Sequence, residues 1–255
     1  MLTGPDEESW NLANGGVKKT GGGFVRVACC QECENLMGLY SKHILPRVID
    51  LVMRNREASR LRADWIPRAR GEVLEIGIGS GLNLRFYSPE VTRVIGVDPS
   101  AQSLKRAGRR AKQAAIEVEL FAQSAEEAQP LEAAAIDTVV ITWSLCSIPD
   151  PRKALVEVRR VLKPTGRLIF LEHGRSPDHA VQTWQNRLTP FWRPFAGGCR
   201  LNREIDRLIE GAGFRIEELK TGYLAAQRTG IRISRSKRIR PPSTRRIFPK
   251  TSFLE

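Results

Sequence analysis

The 255-residue chain is long enough for one α/β domain with appended segments. Its formal net charge of +13 would suit a nucleic-acid partner, but nine lysines or arginines lie between positions 226 and 255 against Glu255 alone, so the other 225 residues carry only +5. No stretch approaches the roughly 20 apolar residues that span a bilayer, and the first residues lack the pattern of a signal peptide. We therefore expect a cytoplasmic protein.

The spacing of the cysteines argues against a disulfide framework. The five cysteines are odd in number, and three of them, Cys29, Cys30 and Cys33, crowd into "CCQEC". The Cys30-x-x-Cys33 pair is typical of a redox site or of half a zinc site, but no second Cys/His pair stands at finger-like spacing. We expect incidental thiols and no metal.

Four segments follow one another along the chain. Residues 1–36 mix glycine clusters with polar residues and are predicted to be a disordered leader. In residues 37–70, apolar side chains recur at helical spacing and Pro46 stands where a helix would begin, which predicts an N-terminal helical segment. Residues 71–225 form the main domain, and the basic, aperiodic residues 226–255 are predicted to be a disordered tail.

Within the main domain, short β-branched runs alternate with helical stretches. Strands are predicted at residues 72–78, 93–98, 117–122, 137–143 and 167–173. Helical patterns lie near residues 82–88, 100–115, 124–129 and 151–162, followed by a last helix over "NREIDRLIEGAGF" and an edge strand over "RIEELKTGYL". This alternation predicts an α/β fold with a doubly wound, mostly parallel sheet and helices on both faces.

The stretch "VLEIGIGSG" places Gly77, Gly79 and Gly81 at every second position behind an apolar run. Glycines there let backbone N–H groups approach an anion or a nucleotide, although a tight turn without a ligand would show the same pattern. The third glycine of a dinucleotide fingerprint would fall at position 82, which is Leu82, and the Gly-Lys-Ser/Thr of a P-loop is absent. Glu75, inside the strand, would repel a pyrophosphate and suits a ligand with an ammonium group.

The next strand ends in "VIGVDPS", which carries Asp98. A carboxylate at this place in an α/β unit accepts hydrogen bonds from ribose hydroxyls. The alternative role, a helix cap, fits Ser100 better because Ser100 directly precedes the next helical pattern. We therefore assign Asp98 to a ribose.

Five ordered motifs, "VLEIGIGSG", "VIGVDPS", "AQSAEE", "DTVVITWSLCSIPD" and "EVRRVLKPTGRLIFLEHG", resemble those of class I S-adenosylmethionine-dependent methyltransferases over about residues 38–225. The stretches "SLCSIPDP", "FLEHG" and "LTPFWRPFAGGCRLNREI" are similar to the branch of ubiquinone-type and methyltransferase-like 7, or thiol methyltransferase, proteins. The resemblance implies a seven-stranded-type, Rossmann-like sheet. Because both ends depart from the family's pattern, we expect an incomplete C-terminal strand.

The resemblance also implies S-adenosyl-L-methionine as methyl donor and suggests which residues hold it. Glu75 would organise the loop and the donor's amino group, with Gly77, Gly79 and Gly81 lining the methionyl part. Asp98 would hold the ribose. The remaining contacts would be Ser124, where the family often has an aspartate, and the N–H of Ala125 at the adenine, with Thr142 and Trp143 at the sulfonium.

Methyl transfer is an in-line displacement at a carbon that the sulfonium already activates, so alignment and exclusion of water are the main requirements. A thiol acceptor with a pKa near ~8.5 would ionise beside the sulfonium without a dedicated base. His173, at the end of the fifth strand, is a candidate for handling a proton, and Cys146 is a second candidate near the same crevice. The alternatives are a histidine satisfied by backbone and a small buried thiol.

A run of aromatic and leucine side chains follows, at helical spacing, between Trp184 and Phe195. Pro190, Pro194 and two glycines interrupt it, which favours a lid over an apolar acceptor as well as a helix with a buried aromatic face. The expected partner is therefore a small molecule, such as a thiol, a quinone precursor or a lipid head group. Peripheral membrane contact and the oligomeric state stay open.

Two other functions compete with this one. The basic tail would serve an RNA methyltransferase as an electrostatic anchor, but the chain lacks the Asn/Asp-Pro-Pro-aromatic and Pro-Cys signatures of nucleic-acid methyltransferases. A non-catalytic, nucleoside-binding module is the third reading, against which the intact Glu75, glycines and Asp98 argue mildly.

Overall fold

The computed structural model describes residue 38, residues 40–221 and the backbone of residues 232–235. The predicted leader, residues 1–36, lies outside this part of the chain, as do the "CCQEC" cysteines and most of the predicted tail. Within the described residues, no helix is both long enough and apolar enough to cross a membrane.

Six strands of the described chain form one sheet, in the order β3-β2-β1-β4-β5-β6. They are β1 (Gly71–Ile76), β2 (Val91–Val97), β3 (Glu117–Phe121), β4 (Ile136–Thr142), β5 (Leu162–Gly174) and β6 (Arg232–Arg235). Strands β1 to β5 are parallel, and β6 runs antiparallel to β5. The strand order reverses between β1 and β4, which confirms the predicted doubly wound sheet.

In the described part of the chain, six α-helices accompany this sheet: α1 (Leu45–Val52), α2 (Arg56–Trp65), α3 (Ala101–Ala111), α4 (Pro151–Val161), α5 (His179–Phe195) and α6 (Ile205–Gly211). A π-helical turn, Tyr40–Ile44, precedes α1. Several of these helices begin after a residue with a short polar side chain, whose oxygen accepts a hydrogen bond from an otherwise unpaired backbone N–H group. Asn55 accepts the N–H of Ala58 in α2, and Ser100 accepts that of Ser103 in α3, which confirms Ser100 as a cap.

Helices cover both faces of the sheet, so the central strands are apolar on both sides. Neighbouring residues of one strand point to opposite faces. In β4, Val139 packs in a cluster with Leu155 of α4 and Ile209 of α6, whereas Val140 packs in a second cluster with Trp65 of α2. This double coverage fixes the positions of the strand ends from which the candidate site is built.

The structure corrects three predicted helical features. Only a 3-10 turn, Leu84–Phe86, forms in the predicted helix at residues 82–88. Residues 124–129 form no helix, because the Ser124 hydroxyl oxygen accepts the N–H of Glu126 and closes a local turn instead. Helix α5 runs without a break through Pro190 and Pro194, which were expected to interrupt it.

The edge of the sheet also differs from prediction. Residues 215–221 of the predicted edge strand contribute only a single bridge, at Lys220, and Arg215 pairs locally with Glu217. Residues 232–235 of the predicted disordered tail pair instead with Leu171–Gly174 of β5. The unpaired backbone N–H and C=O groups of an edge strand can hydrogen-bond to any extended segment that reaches them. Local sequence therefore does not decide which segment pairs with the edge.

Candidate active site

A cavity of about 470 Å³ opens at the carboxyl ends of β1, β2 and β4. Ligand sites of open α/β sheets lie there, where the strand order reverses. One wall consists of the loops that follow β1 to β4, and the opposite wall consists of α1 and residues 196–198 after α5. The predicted donor-site residues that line the cavity are Glu75, Gly77, Gly79, Asp98, Ser124, Ala125, Thr142 and Trp143.

Of the three glycines, Gly79 faces open space. Its φ is +55°, and no atom lies within 3.9 Å of the position that a Cβ would take. At Gly77, with φ +67°, a Cβ would lie 2.0 Å from the Ser144 hydroxyl oxygen. At Gly81 a Cβ would lie 3.1 Å from the Ala107 Cα of α3, and Gly81 does not line the cavity. Only Gly79 therefore leaves space for a ligand close to the backbone, whereas a side chain at Gly77 or Gly81 would clash with its neighbours.

The carboxylate of Glu75 is buried at the end of β1, where it holds the loop that follows. It accepts hydrogen bonds from Asn83 Nδ2 at 2.8 Å and from the Tyr87 hydroxyl at 2.6 Å. Burial raises the pKa of Glu75 to about 7, although both hydrogen bonds and the charge of Arg62 act to lower it. A cationic group in the cavity would therefore favour the charged form of this side chain.

Arg62 of α2 extends the same network. Its Nε donates to Asn83 Oδ1 at 2.9 Å, and its guanidinium carbon lies 4.6 Å from the centre of the Trp143 ring. Asn83 Nδ2 also donates to Thr142 Oγ1 at 3.0 Å. Burial lowers the pKa of Arg62 to about 10, so this side chain stays charged at neutral pH. The network joins α2, the glycine loop and the end of β4 on one side of the cavity.

Asp98 connects the ends of β1 and β2. One carboxylate oxygen accepts the N–H of Gly79 at 3.0 Å, and the other accepts the N–H of Ser100 at 2.8 Å. Burial raises the pKa of Asp98, while these two backbone hydrogen bonds act to lower it. Because a carboxylate oxygen has two lone pairs, each oxygen still has capacity for a ligand hydroxyl.

The loop after β3 supplies the predicted adenine contacts. Ser124 and the buried Ala125 both line the cavity, and the N–H of Glu126 donates to the Ser124 hydroxyl oxygen at 3.2 Å. Glu126 lines the cavity too, and its Oε1 accepts the N–H of Asp150 at 2.7 Å. An acidic side chain therefore does stand in this loop, two residues beyond Ser124, and it connects the loop to the start of α4.

The loop after β4 is organised by Glu172, which is fully buried in β5. One of its oxygens accepts the N–H groups of Ser144 at 2.6 Å and Leu145 at 2.8 Å, and the other accepts that of Cys146 at 3.3 Å. Burial raises the pKa of Glu172, against the effect of nearby His173 and these backbone donors. The loop begins at Trp143 with φ +50°, a conformation that side chains other than glycine adopt only where the surroundings enforce it.

Cys146, in this loop, and His173, at the end of β5, are not among the residues that line the cavity. His173 Nε2 is 3.2 Å from the Cys199 sulfur, and the Cys146 sulfur is 3.5 Å from the Ser147 hydroxyl. Burial lowers the pKa of His173, but the hydrogen bond to Cys199 and the charge of Glu172 outweigh it and raise the value overall. The structure thus brings the two proposed proton handlers together, with Cys199 as a third member.

The buried Asp50 links helix α1 to the glycine loop through hydrogen bonds. Its carboxylate accepts hydrogen bonds from the Ser80 hydroxyl, from Arg54 and, at 2.9 Å, from Arg110 Nη2. Burial acts to raise the pKa of Asp50, but the hydrogen bonds from Ser80 and Arg110 prevail and lower it. This anchoring places the apolar side of α1 across the cavity.

Sequence reasoning missed five polar residues of this site: Asp50, Arg62, Asn83, Tyr87 and Glu172. Two carried a usable signal. Asn83 follows Glu75 within the glycine loop, and Glu172 interrupts an apolar strand, where a carboxylate needs hydrogen-bond donors. Asp50 and Arg62 lie on helices whose packing against the loop has no local signature in the sequence.

Comparison with known proteins places these features in a family. Residues 74–170 match the model of the methyltransferase domain. Thiol S-methyltransferase TMT1B of Rattus norvegicus is 39% identical over 145 residues, which are 56% of this chain and 59% of that protein. Thiol S-methyltransferase TMT1A of Homo sapiens is 33% identical over 163 residues, 63% of this chain and 66% of that protein. The chain thus spans about three fifths of the length of these relatives.

The fold is also similar to that of a solved structure. The crystal structure of the YcgJ protein of Bacillus subtilis is 25% identical, with a TM-score of 0.57 over 67% of this chain and 73% of that chain. YcgJ of Bacillus subtilis is also similar in sequence, with 32% identity over 127 residues, and is described as an uncharacterized methyltransferase. Residues 74–170 therefore carry the methyltransferase domain of the class I S-adenosylmethionine-dependent family, and the chain resembles the thiol S-methyltransferase branch of that family.

Proposed function

We propose that the protein transfers a methyl group from S-adenosylmethionine to a small apolar or amphiphilic acceptor, and that a thiol accepts it. The observation that carries this proposal is a single cavity with two unlike walls. Glu75 and Asp98 line the wall at the strand ends, whereas Leu45, Ile49 and Met53 of the N-terminal helical segment line the other. The names of the two thiol S-methyltransferase relatives support a thiol as the acceptor group.

The polar wall suits a sulfonium nucleoside. The open space at Gly79 admits a ligand close to the backbone, and the Asp98 carboxylate beside it has free acceptor capacity for ribose hydroxyls. Glu75 is a buried acid whose charged form a nearby cation would stabilise. When bound, S-adenosylmethionine supplies the activated methyl carbon, and the residues of the cavity orient it.

The apolar wall would orient the acceptor and exclude water. Leu45 and Ile49 reach the cavity from α1, and Gly197 lies against them, since its Cβ position is 3.4 Å from Leu45 Cδ2. Holding two reactants in line converts an encounter in solution into a reaction between neighbours. A thiol beside a positive donor ionises readily, so the reaction needs no base in the cavity. Proton handling by His173 stays a prediction.

Two of the most exposed apolar side chains lie on α1, which contributes to this wall, and on α5, which precedes residues 196–198. Leu51 of α1 is 71% exposed and Phe191 of α5 is 74% exposed. We include peripheral membrane contact in the proposal, because exposed apolar side chains suit contact with a lipid surface. Sedimentation with phosphatidylcholine vesicles tests this contact. Location in the cytoplasm stays a prediction, and the oligomeric state stays open.

The proposed function is tested by a transfer assay with isotope-labelled donor and a panel of thiols, phenols, quinols, lipids and RNA. We expect label on apolar thiols, with a KM that falls as the thiol becomes more apolar. Asp98→Ala, which should weaken donor binding, serves as the control. Label on RNA alone would overturn the choice of acceptor, and tight binding of S-adenosylhomocysteine without any transfer would favour a non-catalytic module.

A further inference from the structure

Three side chains with soft donor atoms meet behind the wall of the cavity. Cys146 comes from the loop after β4, His173 from the end of β5 and Cys199 from the loop after α5. Their two sulfurs and one ring nitrogen all lie within 4.8 Å of one another, and both cysteines are buried. The proposed methyl transfer uses neither thiol, which leaves the cluster without an assigned role.

The distances are near those of a tetrahedral metal site. In a tetrahedral zinc site with Zn–S of about 2.3 Å and Zn–N of about 2.0 Å, neighbouring ligand atoms lie roughly 3.6 to 3.8 Å apart. His173 Nε2 and the Cys199 sulfur are 3.2 Å apart, and the remaining pairs lie within 4.8 Å. Shifts of a few tenths of an ångström to about one ångström would bring all three atoms around one ion.

The surroundings of the sulfurs match those of metal-bound thiolates, which accept hydrogen bonds from neighbouring donors. The Trp192 indole N–H donates to the Cys199 sulfur at 3.3 Å, and the Ser147 hydroxyl lies 3.5 Å from the Cys146 sulfur. Arg203 donates to the carbonyl oxygens of Leu145 and Ile148, so a positive charge stands beside the cluster. Because the buried carboxyl of Glu172 also lies beside Cys146 and His173, Arg203 alone does not balance two thiolates, and a divalent ion would supply the remaining positive charge.

We propose that the Cys146 sulfur, His173 Nε2 and the Cys199 sulfur bind a zinc ion, with the fourth tetrahedral position taken by water or another exogenous ligand. On binding, the two thiol protons pass to solvent, so that the divalent ion and two thiolates form a neutral site. This differs from the expectation of no metal, which rested on sequence spacing: the ligands are 27 and 26 residues apart and only the fold brings them together.

The ion would hold together the two cysteine loops, which form the acceptor side of the cavity. The N–H of Arg200 donates to the carbonyl of Cys146 at 3.0 Å, so the two cysteine loops already contact each other through their backbones. Ser147 and Gly198, which adjoin the cysteines, line the cavity. Zinc would therefore hold the two cysteine loops together next to the wall against which the acceptor lies.

The test uses the full chain with Cys29, Cys30 and Cys33 changed to serine, so that these thiols do not compete for metal. The reduced, metal-free protein is titrated with Co²⁺, whose sulfur-to-metal charge-transfer band and tetrahedral d–d bands report the ligand set. We expect one Co²⁺ per chain, displaced by Zn²⁺. Both bands should weaken in Cys146→Ser and in Cys199→Ser. Trp192→Phe, which removes only the donor to the sulfur, should weaken binding about tenfold.

A second measurement avoids dependence on variants that fold poorly. In the unmodified chain, Zn²⁺ should slow alkylation of Cys146 and Cys199, mapped by mass spectrometry, while S-adenosylhomocysteine binding shows that the donor wall is intact. Absence of Co²⁺ binding by the reduced protein would overturn the proposal. So would unchanged binding in a Cys146→Ser/Cys199→Ser variant, or the finding that the two thiols form a disulfide and that their reduction yields no metal site.

Discussion

The two walls of the cavity are built in different ways. At the strand ends, Glu75 and Asp98 each have two hydrogen bonds from the protein, and the loop between them is fixed by backbone contacts. The other wall consists mainly of apolar side chains on α1 together with residues 196–198, and Ile49 of α1 is 44% exposed. A donor that is common to a whole family needs hydrogen-bonding groups in fixed positions, whereas an apolar acceptor needs a cavity of complementary shape. The contrast predicts that substitutions on the two walls will have separable effects.

The largest effect is expected from Gly77→Ala. The new Cβ would clash with the Ser144 side chain and would require an alanine at φ +67°. Overpacking and backbone strain together should lower the free energy of unfolding by about 3 kcal/mol, measured by urea denaturation. Gly79→Ala is the matched control, because it carries only the strain, about 1 to 2 kcal/mol, and has space for its methyl group.

A double variant tests the cause of the Gly77→Ala effect. Ser144→Gly removes both atoms with which the new Cβ would clash, so Gly77→Ala/Ser144→Gly should recover part of the loss. Equal losses for Gly77→Ala and Gly79→Ala would contradict the packing role assigned to Gly77. On the other hand, Gly79→Ala should reduce affinity for S-adenosylhomocysteine, since its methyl group would occupy space that a ligand needs.

Asp98→Ala should weaken binding of S-adenosylhomocysteine about 10- to 100-fold, because hydrogen bonds to a carboxylate contribute about 1.5 to 3 kcal/mol. Isothermal titration calorimetry measures the affinity. Asn55→Ala provides the control: it removes the cap of α2, does not line the cavity, and should lower stability by about 1 kcal/mol while leaving the affinity unchanged. Unchanged affinity in Asp98→Ala would refute the ribose assignment.

The contrast between the walls also explains what could be read from the sequence. The five parallel strands were predicted because β-branched runs such as those of β2 and β4 are buried on both faces and alternate with helices. Glu75, Asp98 and Ser100 belong to a motif that is local in sequence, so their positions followed from the chain order. The sheet edge depends on competition between distant segments, and there the prediction was wrong.

The opposite wall was less accessible to sequence reasoning, because it is formed by contacts between residues far apart in the chain. Asp50 contacts Ser80, thirty residues away, and Cys146 meets Cys199 only when two loops pack together. Periodicity showed that α1 and α5 are helices with an apolar side. It did not show that α5 would continue through two prolines, nor which apolar side chains would face the cavity.

Glu75→Gln tests the electrostatics of the polar wall. The pKa of Glu75 is raised from 4.5 to about 7, so between these values the folded state keeps a proton that the unfolded state releases. Stability from this residue is therefore lost as pH rises from about 4.5 to about 7. Glutamine removes that dependence, so the stability of the variant relative to the unmodified protein should increase over this range, as measured by urea denaturation at several pH values.

The same variant has an opposite effect on the donor. Without the carboxylate, affinity for S-adenosylmethionine should fall more than affinity for an adenosine analogue that lacks the ammonium group. Asp98 and Glu172 also have raised pKa values, so only the difference between variant and unmodified protein isolates Glu75. A pH-independent stability difference would show that the pKa of Glu75 is the same in the folded and the unfolded states.

The smallest effect is expected on the apolar wall. Ile49 lines the cavity and is 44% exposed, so Ile49→Ala removes about 1 kcal/mol of apolar contact and should raise the KM for an apolar thiol about fivefold. Affinity for S-adenosylhomocysteine should not change, because the polar wall is untouched. Leu51→Ala, on the same helix but outside the cavity lining, is the matched control and should leave both values as they are. If Ile49→Ala weakened donor binding as much as acceptor binding, the two walls would not act independently, and α1 would have to be counted as part of the donor site.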